Sequence, residues 1–148
     1  MRHLVVTRRA LVLLLALATT LLMAVPALGG GRPLSAELSS DNEVPSSETG
    51  ASGTAHVTLN QGQGEVCVDI ETSDLSGAVV AGHIHQAPAG SNGVVVVNLG
   101  VNAADFSACV DGVDKALIKD IRKNPAEYYI NIHTVTVPSG EVRGQLSK

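Results

Sequence analysis

The chain has little that could stack. Of its 148 residues only Phe106, Tyr128 and Tyr129 are aromatic, and tryptophan is absent. Single-stranded nucleic acids need aromatic platforms, and duplexes need a basic face. The formal net charge is −4, so composition argues against a nucleic-acid partner. Catalytic signatures are missing too. There is no Gly-x-Ser-x-Gly elbow, no P-loop and no glycine-rich dinucleotide fingerprint. Cysteine occurs only twice, as Cys67 and Cys109. Without Cys-x-x-Cys spacing, a zinc ribbon or a redox dithiol is a poor reading. No complete catalytic set can be assembled, and the reading leans away from an enzyme.

What is abundant is apolar, but it is unevenly spread. Residues 1–27 read as a secretory signal peptide. Arg2, Arg8 and Arg9 form a basic start, and Ala10 to Val25 is apolar apart from Thr19 and Thr20. Small residues at Val25-Pro26-Ala27 place cleavage after Ala27, with Gly29 as the alternative. The run is short for a membrane span. Residues 28–33 then read as a linker and 34–148 as a single β domain, with no membrane span after cleavage. Beyond residue 27 there are 7 basic against 14 acidic residues. The expected location is secreted or periplasmic. In such an oxidising compartment Cys67 and Cys109 read as one disulfide.

The rest is β-like, with 16 valines against 8 leucines beyond residue 27; that balance favours a pleated surface. Expected strands cover 34–38, 53–59, 65–72, 79–86, 94–99, 127–135 and 141–146. Val66, Val68 and Ile70 alternate toward a core. The nearly continuous apolar run Val94 to Leu99 suggests a strand covered on both faces. One helix is expected after Asp111 as N-cap, with Val113, Leu117, Ile118 and Ile121 facing inward and Asn124-Pro125 ending it. About seven short strands with one short crossover helix suit an antiparallel Greek-key sandwich or barrel of Ig-like size.

His83 and His85 alternate on one expected strand, so both imidazoles leave the same face. His133 shares a face with Tyr129 and Asn131 on another. If those strands are neighbours, His83, His85 and His133 can converge on one copper or zinc ion; His56 would be a possible fourth. The alternative is structural: Asn131, Thr134 and Arg143 tie the histidines into a polar network that fixes the loops around Pro88 and Pro138.

Several segments together resemble the CHRD domain, the chordin-type module. They are Glu43-Val44-Pro45, His83-Ile84-His85-Gln86-Ala87-Pro88, Asn124-Pro125 with Tyr128-Tyr129, Asn131-Ile132-His133-Thr134 and Gly140-Glu141-Val142-Arg143-Gly144-Gln145-Leu146. The resemblance implies an exported β module acting as a non-enzymatic binding or structural domain. Its partner would be an undefined extracytoplasmic protein or small ligand. A weaker likeness is to copper-zinc superoxide dismutase, a Greek-key barrel with a His-x-His strand pair. By it His83, His85 and His133 would hold copper and Arg143 would guide an anion. No histidine lies between His85 and His133, so that family's bridging and zinc ligands have no counterpart here.

Overall fold

The computed structural model describes residues 33–148. The expected leader 1–27 and all but the last residue of the linker 28–33 lie outside them. Eight strands alternate along the described chain: β1 (Leu34–Ser39), β2 (Ser52–Asn60), β3 (Glu65–Ser73), β4 (Val79–Gln86), β5 (Val94–Asn98), β6 (Phe106–Val110), β7 (Tyr128–Thr134) and β8 (Val142–Gln145). One helix, α1 (Lys115–Lys123), lies between β6 and β7. All strand pairs are antiparallel, in the order β5-β4-β7-β8-β1-β2-β3-β6. Because β3 pairs with β6 and β4 with β7, the connections cross the ends of the sheet in Greek-key fashion.

The sheet rolls around one core. Ala36, Val57, Val68, Ile84, Val97, Ile130, Ile132 and Val142 meet there, with Ile118 and Ile121 from α1. The alternation expected in β2 and β3 holds, with Ala55, Val57, Val66, Val68 and Ile70 buried. Among the described residues no helix is long and apolar enough to cross a membrane.

Three local expectations change. A strand at Phe106–Val110 was not anticipated. Its only signals were a five-residue alternation and Cys109, which faces Cys67 across the β3–β6 ladder and is bonded to it. The run from Val94 is not covered on both faces. β5 ends the sheet, Val94 and Val95 are 70% and 50% exposed, and only Val97 within β5 and Leu99 just beyond it turn fully inward. An apolar run cannot distinguish a central strand from an edge strand. The helix also starts later, with Asp114 as N-cap accepting from Ala116 N at 2.8 Å. The reason is that Val113 N donates to Gly64 O at 2.9 Å, which commits residues near Asp111 to the β2–β3 turn.

Candidate metal centre

Side chains alternate along β4 and β7. Ile84, Ile130 and Ile132 point into the core, which leaves His83, His85, Tyr129, Asn131 and His133 on the outer face. Cross-strand register then sets two rows. In one, Val95, His85, Tyr129 and Gln145 are neighbours; in the other, Asn98, His83, Asn131 and Arg143. His133 stands opposite Ala81, one step from His83.

The three imidazoles converge. One ring nitrogen from each of His83, His85 and His133 lies within 4.8 Å of the other two. His83 Nδ1 is 3.1 Å from His133 Nε2. His56 does not join them, because β2 is separated from β7 by β8 and β1. The other cluster of ligand-type atoms, Glu65 with Cys67 and Cys109, is closed to metal by the disulfide.

Backbone carbonyls decide the tautomers. His85 Nδ1 is 2.9 Å from Gly93 O, and His133 Nδ1 is 3.0 Å from Pro138 O. A carbonyl only accepts, so each Nδ1 carries the proton and donates it. In that tautomer Nε2 carries the lone pair, and the Nε2 of His133 is the atom that lies against His83 Nδ1. His85 Nε2 is buried without a hydrogen-bond partner. Burial and the neighbouring imidazoles His133 and His85 push the pKa of His83 below its ordinary value. Burial also lowers that of His133, against the raising effect of its bond to Pro138. Both are thus neutral at pH 7, the state a metal ion requires.

The carbonyl that holds His85 depends on a glycine. A Cβ on Gly93 would sit 2.0 Å from Gln86 O, so β4 and the 87–93 turn approach this closely only without a side chain. Tyr129 stacks on His85, with ring centroids 4.8 Å apart and 7° between planes. The Arg143 guanidinium covers the other side of that ring, 3.4 Å from its centroid.

Arg143 does not face the histidines as a free cation. It is 1% exposed and donates to Ser91 O at 2.7 Å, Asn92 Oδ1 at 3.2 Å and Pro88 O at 3.3 Å. Its place is at the base of the 87–93 turn. Thr134 is fully buried beside the 135–140 turn, accepting from Val137 N at 3.1 Å and donating to Glu141 Oε2 at 2.5 Å. It thereby holds the turn that carries Pro138 O to His133.

Two buried carboxylates were not among the expected site residues, Glu43 and Glu141. Both lie in the segments that carry the family resemblance, but loop composition gives no measure of burial. Burial alone would raise the Glu141 carboxyl. Hydrogen bonds from Thr134, Ser76 and Thr49 outweigh it and hold the pKa below its ordinary value. A carboxyl lowered in the folded state adds stability above pH 4.5 that is lost as pH falls through the folded value. Thr134→Val removes a hydrogen bond to that charge. The expected loss is about 1.5–3 kcal/mol at pH 7, and smaller at an acid pH below the lowered folded value, where the carboxyl takes up its proton. Urea midpoints at the two pH values check this. An equal loss at both would show that Thr134 does not act through the Glu141 charge.

Comparison with known proteins agrees with the sequence reading. The CHRD domain family model matches residues 34–146. No curated protein and no solved structure matches the chain significantly.

Proposed function

The chain belongs to the CHRD domain family, and from that premise we propose that it is an exported, non-enzymatic binding module holding one copper or zinc ion through His83, His85 and His133. The observation that carries this reading is the tautomer arrangement. Gly93 O and Pro138 O each take an Nδ1 proton, which leaves both Nε2 atoms bare; that of His133 lies 3.1 Å from His83 Nδ1, and one ring nitrogen of each histidine lies within 4.8 Å of the other two. A buried acceptor without a donor costs free energy, and His85 Nε2 is such an atom. Three imidazole nitrogens are a donor set that copper and zinc accept. The disulfide fits an oxidising compartment, as export requires. Arg143 is engaged by three loop acceptors, so anion guidance and dismutase chemistry form no part of the proposal.

The test is elemental analysis and Zn²⁺ and Cu²⁺ titration of protein purified without a histidine tag. One ion per chain is expected. At a free metal concentration a hundred times Kd, the folded state should gain about 2.7 kcal/mol. His85→Ala should abolish that gain. Undiminished one-to-one binding by His85→Ala would remove these ligands from consideration.

A second reading is favoured by the same two carbonyl contacts. In it the histidines only pin the 87–93 and 135–140 turns, and the module presents those turns to an extracytoplasmic protein or small ligand. Wild-type protein would then bind no metal stoichiometrically, while His85→Ala would still lower stability.

A further inference from the structure

We propose that Asn131 supplies a fourth donor to this centre through its amide oxygen, and that Glu43 fixes the amide in that orientation, so that the site selects a divalent cation over cuprous copper. The inference rests on the three-histidine reading above and adds two residues to it.

Asn131 lies in the same cross-strand row as His83 and is 3% exposed. Its Oδ1 is 3.1 Å from His133 Nε2. The His133 tautomer is set by Pro138 O, so in the neutral ring that Nε2 has no proton to offer. Two lone-pair atoms therefore face each other at hydrogen-bond distance. His83 Nδ1 can supply one proton to His133 Nε2, but none is left for the amide oxygen. A cation among His83 Nδ1, His85 Nε2, His133 Nε2 and Asn131 Oδ1 satisfies all four acceptors together.

The amide could relieve this clash by rotating its nitrogen toward His133. Glu43 prevents it. The Glu43 carboxyl is 7% exposed, its Oε1 is buried without a hydrogen-bond partner, and it lies beside the Asn131 amide nitrogen, which acts on it as a donor and lowers its pKa. A carboxylate accepts and does not donate, so it holds Nδ2 on its own side and leaves Oδ1 toward the histidines. Gly140 makes room for the pair. A Cβ there would lie 2.5 Å from Glu43 Oε1 and 3.0 Å from Asn131 Nδ2, and its φ of +125° also suits glycine alone. An amide oxygen is a hard donor, and a carboxylate behind it offsets positive charge. Both favour Zn²⁺ or Cu²⁺ over Cu⁺, which prefers soft ligands.

The test uses the full chain stripped of metal, with Zn²⁺, Co²⁺ as a spectroscopic probe, and Cu⁺ measured by chelator competition. Asn131→Leu and Glu43→Gln should each weaken Zn²⁺ and Co²⁺ binding about 10–100-fold, leave Cu⁺ binding unchanged and alter the Co²⁺ visible spectrum. The exchange variant Glu43→Gln with Asn131→Asp keeps a donor facing an acceptor and a negative oxygen toward the metal. It should recover divalent binding. If both single variants bind Zn²⁺ and Co²⁺ like wild type while His85→Ala does not, the fourth donor is wrong and the three-histidine centre stands. Equal weakening of Cu⁺ and the divalent ions, or no recovery in the exchange variant, would show a structural role only. Full binding by His85→Ala would overturn the histidine reading itself.

Discussion

Arg143→Leu is expected to lower the stability of the domain by about 3–5 kcal/mol, the scale for removing one member of a buried charged network. The side chain is 1% exposed, and its guanidinium satisfies Pro88 O, Ser91 O and Asn92 Oδ1. Leucine fills part of the volume but leaves Ser91 O and Asn92 Oδ1 without donors and Pro88 O with Ser91 N alone. It also removes the cation from Tyr129 and from Glu43. Burial already raises the Glu43 carboxyl, and the Arg143 charge opposes that rise. Without Arg143 the carboxyl rises further. Lysine should rescue little, because it cannot reproduce the planar fork that reaches three acceptors while stacking on a ring. Equilibrium urea unfolding measures the loss. Limited proteolysis should show cleavage appearing first in the 87–93 turn. A loss below about 1 kcal/mol would mean that the network is not held by its charge.

Cys67→Ala with Cys109→Ala should cost about 4 kcal/mol. The bond closes a loop with a sequence separation of 42, and restricting the unfolded chain over that length has this worth in the chain-entropy account. For a domain of this size the melting midpoint should fall roughly 10–20 °C. The effect should spare the histidine cluster. Cys67 and Cys109 join β3 and β6 at one end of the strand order, whereas His83, His85 and His133 stand on β4 and β7 near the other. Below its melting transition the double variant should therefore bind Zn²⁺ like wild type. A stability loss under about 1 kcal/mol would indicate that the β3–β6 ladder alone restrains the unfolded chain as well as the bond does.

Much of this molecule was legible without coordinates, wherever the signal was periodic and local. Period-two alternation located β2 and β3 and named Val66, Val68 and Ile70 as core. The spacing of His83 and His85 dictated a shared face, because successive side chains in a strand point to opposite sides. His133 shared a face with Asn131 for the same reason. The helix was legible from its stripe through Ile118 and Ile121 and its stop at Pro125.

What was not legible depended on partners distant in the chain. The edge position of β5 left Val94 and Val95 in solvent, although their sequence reads as core. Asp114 displaced Asp111 as N-cap because Val113 pairs with a turn about fifty residues earlier. The site followed the same division. Sequence alone determined a family, a cysteine pair, two histidines on one strand face and a third that shares a face with Asn131. Only the tertiary structure set β4 beside β7, brought three imidazole nitrogens within 4.8 Å of one another and placed Gly93 O and Pro138 O where they fix two tautomers. It also turned Arg143 from the histidines toward a loop and buried Glu43 beside Asn131. The physical reason is that alternation within a strand is a property of the local backbone. Convergence, burial and protonation depend on which strands become neighbours, and that follows from closing one core around the whole chain.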